Sequence, residues 1–189
     1  MSEAEYFDKK FKKIKSKVMF KGKILNLRLD EVELPNGKIV EREVVEHKGA
    51  VGIVPVTSDN EVVLIKQYRY PIDKVIWEIP AGLLDEDESP LSCAIRELKE
   101  ETGYTAKTFI KMAEFYLTPG NSNEYFHLYL AKDLTEGDTK LEDDEFLELK
   151  HVSLENALKL VMSNEIKDAK TMIGFCLAEK ILKNQKDKS

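Results

Sequence analysis

Three glutamates carry the first chemical signal in this chain. Glu97, Glu100 and Glu101 stand at i, i+3 and i+4 in the run Arg96-Glu97-Leu98-Lys99-Glu100-Glu101-Thr102-Gly103. On a helix those positions share one face. Like charges packed so closely repel, and a hard divalent cation, which prefers several oxygen ligands, is the natural counter-charge. Arg96 is adjacent in sequence and can pair with a carboxylate and fix its rotamer. Upstream, Glu88 lies eight residues before Arg96, and Gly82 six residues before Glu88. A glycine there lets backbone approach a bound group closely. By itself a glutamate-rich helix face is usually just solvated, so the surrounding pattern has to decide.

The elements that must position this cluster are legible around it. Ser89 suits a helix N-cap, Pro90 the first helical position and Gly103 a left-handed C-terminal residue, which predicts a helix over 89–103. Leu91, Ala94, Ile95 and Leu98 fall on one arc, the face expected to pack on a sheet. Pro80-Ala81-Gly82-Leu83-Leu84 reads as a loop leaving a short strand at 75–79. Residues 51–56 and 62–68 are apolar, β-branched runs split by the turn Ser58-Asp59-Asn60, and suit buried strands. Further strands are expected near 109–116, 124–130 and 146–152. One helix should run from the N-cap Ser153 to about Met162, with Ala157, Leu158 and Val161 apolar. Another should run from about Ala169 to Leu182, with Met172, Ile173, Cys176, Leu177 and Leu182 on or near one face. Ahead of all this, 24–34 alternates as a half-buried strand, Asn36-Gly37 marks a hairpin turn, and 38–47 returns. The expected fold class is α/β (α+β): a mixed sheet covered by helices over 50–189, preceded by an antiparallel β appendage over 1–49. It lacks the regular strand–helix alternation of a doubly wound fold.

Composition narrows the class of function. The chain has 189 residues with 42% hydrophobic and 34% charged, enough for a packed core, and disorder is not the default. A net charge of −6 argues against a general nucleic-acid binder. Lysines crowd residues 9–23, and we read them as a solvated lead-in to the first strand, not an arm for phosphates or a membrane. Cys93 and Cys176 stand far apart with no CxxC, which fits a reducing, cytoplasmic setting with both as small core or near-core residues. No signal peptide and no transmembrane run is expected.

The run from Gly82 to Tyr104 matches the Nudix box: Gly, five residues, Glu, seven residues, then Arg-Glu-hydrophobic-any-Glu-Glu-any-Gly-hydrophobic. No fixed position departs from it. A chance match is on the order of one in ten million for a chain this long, which overrides the solvated-face reading. The flanks Lys66-Gln67-Tyr68-Arg69-Tyr70, Trp77-Glu78-Ile79-Pro80-Ala81-Gly82 and Leu117-Thr118-Pro119-Gly120 resemble the ADP-ribose pyrophosphatase group, with Pro119 falling 15 residues after the box. Arg42-Glu43-Val44-Val45-Glu46-His47 and Asp168-Ala169-Lys170-Thr171 are also similar.

The resemblance implies an α/β/α sandwich with a mixed sheet and a Mg²⁺-dependent hydrolase, with Mn²⁺ a substitute. It implies cleavage of ADP-ribose to AMP and ribose 5-phosphate, or cleavage of a closely related nucleoside diphosphate sugar. Glu97 and Glu101 should be metal ligands, Glu100 a ligand or close neighbour, and the Ala81 carbonyl a further ligand. Glu88 and Arg96 should hold the loop onto the helix. Glu145 should be the catalytic base, with Glu142 and Asp144 as alternates in the acidic loop 141–145. Arg69 is the choice for a phosphate contact, since guanidinium grips phosphate bidentately. Glu78 serves either a substrate hydroxyl or a structural role. Arg42 and Gly120 are substrate-binding candidates, and His47 a weaker one. Adenine needs an aromatic surface, yet none lies between Lys21 and His47, leaving Phe20 and Tyr6. The appendage should form a homodimer that shares active sites, and no nucleic-acid or membrane partner is expected. Other readings are a Nudix hydrolase of another nucleoside diphosphate derivative, such as a nucleotide sugar or dinucleoside polyphosphate, and an inactive module that senses ADP-ribose. The intact Glu97, Glu100 and Glu101 weigh against the last.

Overall fold

A computed structural model describes residues 10–139 and 147–186. Glu142, Asp144 and Glu145 of the acidic loop, and Tyr6, lie outside the described residues. The chain separates into two compact units. One contains the stretch up to residue 48 together with 116–125; the other contains 49–115 together with the stretch from 126 onward.

The first unit is built on a three-stranded antiparallel sheet. Strands β2 (Leu25–Glu33) and β3 (Ile39–His47) pair from Leu25 opposite His47 to Glu33 opposite Ile39. Gly37 makes the turn between them at φ 82°, a conformation that favours glycine. The lysine-rich lead-in forms a strand of its own, which the sequence reading did not anticipate. Residues Lys12–Lys21 (β1) pair antiparallel with β2 and are exposed along their whole length. Their lysines hide a strand whose backbone completes the edge of β2. Ser16 pins the register by donating to Asp30 (2.6 Å), a buried carboxylate that also accepts from Arg28 Nε (2.9 Å). The Ser16 hydrogen bond, helped by Arg28 and against burial, holds the Asp30 carboxyl below its ordinary range. The loop 117–124 is laced to β3: Val45 N–H donates to the Asn121 carbonyl (2.8 Å) and His47 N–H to the Asn123 side chain (2.8 Å).

The second unit is layered. One sheet has the order β7-β4-β9-β8, with β4 Ala50–Pro55, β7 Ala81–Leu83, β8 Thr105–Tyr116 and β9 Tyr125–Thr135. A second has the order β10-β5-β6, with β5 Glu61–Arg69, β6 Lys74–Glu78 and β10 Glu148–Ser153. Strands β4 and β9 run parallel, while β4–β7, β5–β6 and β5–β10 are antiparallel, so the arrangement is mixed. All six residues of β4 are buried, as its apolar run requires. Side chains alternate across a strand, so β4 serves two helices at once. Val51 and Ile53 pack with Cys93, Ala94 and Leu98 of helix α1 (Pro90–Thr102). Val54 meets helix α3 (Ala169–Lys186), where a Cβ on Gly174 would come within 2.8 Å of it. The short helix α2 (Leu154–Met162) is capped by Ser153, as expected, and packs on α3. Each large apolar side chain so buried contributes about 1.5–3 kcal/mol.

Three local expectations are corrected. The 80–84 segment is not all loop, because Ala81–Leu83 pairs with β4, Gly52 opposite Ala81. On α1 the buried residues are Cys93, Ala94, Glu97, Leu98, Glu101 and Thr102, while Leu91 and Ile95 are exposed. The helix is rotated so that its acids, not its outermost leucine and isoleucine, flank the sheet. On α3 the buried face is Thr171, Gly174, Phe175 and Ala178, and Cys176 is exposed instead of near the core.

Candidate active site

Helix α1 carries the acidic cluster, and its ends are fixed by local chemistry. Ser89 Oγ accepts the Ser92 N–H (3.1 Å), Pro90 opens the helix, and Gly103 closes it at φ 75° with its N–H on the Lys99 carbonyl (2.9 Å). That framing turns Glu97 and Glu101 inward to 9% and 3% exposure. Both converge on β7. Glu101 Oε2 accepts the Ala81 N–H (2.8 Å). The Glu97 carboxylate lies directly over Gly82, where an added Cβ would fall 1.8 Å from Oε1. Only glycine leaves room for that carboxylate.

Arg96 distributes itself over the remaining acids. Its Nε and Nη2 grip Glu88 at 3.0 and 2.8 Å, and Nη1 reaches Glu97 (2.6 Å) and Glu100 (3.0 Å). Nη2 also donates to the Leu83 carbonyl (3.2 Å), tying helix to strand. The Arg96 hydrogen bonds outweigh burial and drive the Glu88 carboxyl down to about 2, while the same contacts push the Arg96 pKa up. Burial pushes the Cys93 thiol well above its ordinary range, so it is a core group and not a nucleophile.

The donor chemistry fits a hard cation. The acidic face and the adjoining backbone offer only oxygens: Glu97, Glu100, Glu101 and the Ala81 carbonyl. As the side chains stand, Glu97 and Glu100 lean on Arg96 and Glu101 on the Ala81 N–H. Among the described residues no three His, Cys, Asp or Glu groups meet on one point. The acids outnumber their cation, so a divalent ion has charge to neutralise there.

A second polar cluster forms from β5, β6 and α3. Glu78, at the end of β6, is 0% exposed. Arg69, at the end of β5, clasps it with Nε on Oε1 (2.7 Å) and Nη2 on Oε2 (2.8 Å). Lys170 Nζ also bonds Glu78 Oε2, and it bonds Asp168 Oδ1 at 2.9 Å. Asp168 Oδ2 caps α3 by accepting the Thr171 N–H (3.0 Å) and hydroxyl (2.5 Å). The same Thr171 oxygen accepts the Ile79 N–H (2.9 Å). Burial works against the Arg69 charge, but Glu78, then Glu101 and Asp168, more than offset it, and its pKa lies above the ordinary value. Arg69 thus feels the acidic helix as well as its own partner.

The structure therefore groups Ala81, Gly82, Glu97 and Glu101, with Glu100 joined through Arg96, and it pairs Arg69 with Glu78. Arg42 and Gly120 lie in the other unit. Arg42 is exposed on β3 with Nη1 on the Glu41 carbonyl (2.9 Å), and Gly120 stands open, with nothing within 4 Å of an added Cβ. His47 Nδ1 is 3.9 Å from Glu124. Sequence reasoning assigned no role to Lys170, Asp168 or Thr171. The available signal was a helix cap, Asp168 followed three residues later by Thr171 at the start of an apolar-periodic run.

The fold and site together define an α+β protein with layered sheets between helices and a glutamate helix docked against a glycine-bearing strand. The NUDIX domain family matches residues 46–172, and the nucleoside diphosphate sugar hydrolase N-terminal domain matches residues 11–45. The chain belongs to the Nudix family. It is 48% identical over 162 residues to the ADP-ribose pyrophosphatase of Bacillus subtilis (strain 168), covering 85% of this chain and 88% of that one. It is 43% identical over 165 residues to the methanol dehydrogenase activator of Bacillus methanolicus, covering 86% and 89%. A solved ADP compounds hydrolase superposes with a TM-score of 0.84 at 23% identity, covering 94% of this chain and 96% of that one, a likeness of fold. Among the described residues no helix is long and apolar enough to cross a membrane.

Proposed function

We propose that this protein hydrolyses the diphosphate bond of ADP-ribose, adding water to give AMP and ribose 5-phosphate, with Mg²⁺ bound and Mn²⁺ as a substitute. The protein is a Nudix hydrolase acting on a pyrophosphate bond. The observation that carries the hydrolase reading is the pair of inward glutamates, Glu97 and Glu101, set against Ala81–Gly82, together with an arginine held by Glu78, and likeness to ADP-ribose pyrophosphatases supports the substrate. Glu97, Glu100, Glu101 and the Ala81 carbonyl would hold the metal. A bound divalent ion neutralises diphosphate charge and makes an attacking water more acidic. The protein's own part is positioning and fixed charge, which dominate phosphoryl-transfer catalysis. Arg69 presents the guanidinium edge opposite Glu78 to a phosphate oxygen. Glu145 of the acidic loop takes up or orients the water's proton, with Glu142 and Asp144 next in line. Arg42 and Gly120 are further candidates for contacting the substrate.

The appendage supports a homodimer. Phe11, Ile14, Val18, Met19 and Phe20 are exposed along β1 and its approach, an apolar load that a second copy would cover. Cytoplasmic residence fits a nucleotide substrate and the unpaired Cys93 and Cys176. The match of residues 11–45 to a nucleoside diphosphate sugar hydrolase domain favours one second reading, a nucleotide sugar as substrate.

A panel of nucleoside diphosphate derivatives with Mg²⁺, read by phosphate release through a coupled phosphatase, decides among these. ADP-ribose should give the highest kcat/KM. Binding of ADP-ribose with no turnover of any compound would overturn the hydrolase in favour of a sensing module. Glu145→Gln should lower kcat by about 10²–10⁴-fold while substrate still binds. A near-normal kcat moves the role to Glu142 or Asp144.

A further inference from the structure

Lys170 stands out as a charged side chain turned into the protein. Its side chain is 11% exposed and hydrogen-bonds two carboxylates, Glu78 and Asp168. It does not reach outward as a ligand would need. Its partner Glu78 is fully buried, whereas Arg69, the other cation on Glu78, has a side chain that is 39% exposed. A guanidinium bonded through Nε and Nη2 presents its opposite edge away from the acid. We propose that Lys170 is a positioning and charge-balancing residue for the substrate's diphosphate, acting through Glu78 on Arg69. This rests on the reading above that Arg69 meets a phosphate.

The charge count gives the reason. Arg69, Lys170, Glu78 and Asp168 make two cations and two anions, so the group itself is neutral, and Arg69 is its most exposed member. Without Lys170 the group is net negative, Arg69 must serve Glu78 alone, and an anion is repelled. The same lysine belongs to a closed circuit. Asp168 binds Thr171, Thr171 binds the Ile79 N–H, and Ile79 follows Glu78 in the chain. Residues 78–79 are thus clamped to the first turn of α3, just before Pro80 and the Ala81–Gly82 segment under the glutamates. A lysine without this role would affect folding stability and leave the affinity for substrate alone.

Lys170→Met should raise KM for ADP-ribose by about 10- to 30-fold, the effect of one unit charge several ångströms away, with a much smaller change in kcat. Lys170→Arg should recover most of the loss. The double change Lys170→Met with Asp168→Asn restores neutrality and keeps a capping side chain, so its KM should fall back toward wild type. The Nε–H proton of Arg69, followed by NMR hydrogen exchange, should be protected in the wild type and exchange more slowly still in Lys170→Met, where Glu78 has lost its other cation, whatever the substrate proves to be. An unchanged KM with unchanged Nε–H exchange in folded Lys170→Met overturns the proposal. Where Lys170→Met does not fold, Asp168→Asn alone carries the test: it removes a negative charge and should lower KM, and an unchanged KM overturns the proposal. A wild type that turns over no nucleoside diphosphate sinks the functional reading instead, and Arg69 Nε–H exchange then judges Lys170 by itself.

Discussion

Two arginines in this molecule clasp a glutamate in the same way, and the surroundings give them opposite characters. Arg96 bonds Glu88 through Nε and Nη2, and Arg69 bonds Glu78 through the same pair of nitrogens. Around Arg96 the acids are in excess: Glu97 and Glu100 share its Nη1, and Asp85 lies at 4.0 Å. Around Arg69, Lys170 joins Glu78 and Asp168 from the inside, so that group of four is balanced, with Glu101 acting on Arg69 from outside it. One arginine–glutamate bridge is thus a spacer within a surplus of carboxylates, suited to admit a cation. The other is a braced cation edge, suited to meet an anion. An arginine–carboxylate pair does not define a site by itself; the charge count of its neighbours does.

The strongest way to break this contrast is to remove an acid from the surplus. Glu101→Gln should cost about 10²–10³-fold in kcat, the scale of losing one preorganised electrostatic group, while circular dichroism stays native. Retained activity would mean the acidic face is structural. Next, Arg96→Met leaves Glu88, Glu97 and Glu100 without their shared cation and should lower stability by about 1–3 kcal/mol in urea unfolding. Added Mg²⁺ should recover more of that loss than it adds to the wild type, since an ion can take the vacated charge. The matching variant Arg69→Met should show no such recovery by Mg²⁺. Smaller still, Arg69→Lys should raise KM about tenfold with kcat nearly kept, because ammonium cannot hold Glu78 by two nitrogens and still present an edge. An unchanged KM would remove Arg69 from the substrate's path.

The smallest effect is a pH signature of the Arg96 bridge. The Glu88 carboxyl is held at about 2, below its ordinary value of 4.5, so it contributes stability at neutral pH. That contribution is fully present above about 4.5 and is lost as pH falls toward 2. The difference in Tm between the wild type and Glu88→Gln should therefore be constant near neutrality and close across that window. A difference that persists at pH 2 would assign the Glu88 effect to packing.

Much of this architecture was readable along the chain. The helix of acids, its Ser89 and Gly103 caps and the Asn36-Gly37 turn follow from local rules that need no distant contact. Its buried face did not, since Leu91 and Ile95 satisfy helical periodicity as well as Cys93 does, and only the position of β4 selects between them. Strand β1 was hidden because a strand exposed on both faces has no alternation to show. The role of Lys170 was equally hidden, because its glutamate lies 92 residues away.

By itself the sequence determined the family, the cluster of glutamates and the helix that carries it, because spacing at 3.6 residues per turn and capping chemistry are encoded within a few residues. Tertiary structure decided which carboxylates turn inward, which strand lies beneath them, and which of two similar arginines faces a surplus of negative charge. Those outcomes depend on burial and on the sum of charges from distant segments, and neither quantity exists until the chain has folded.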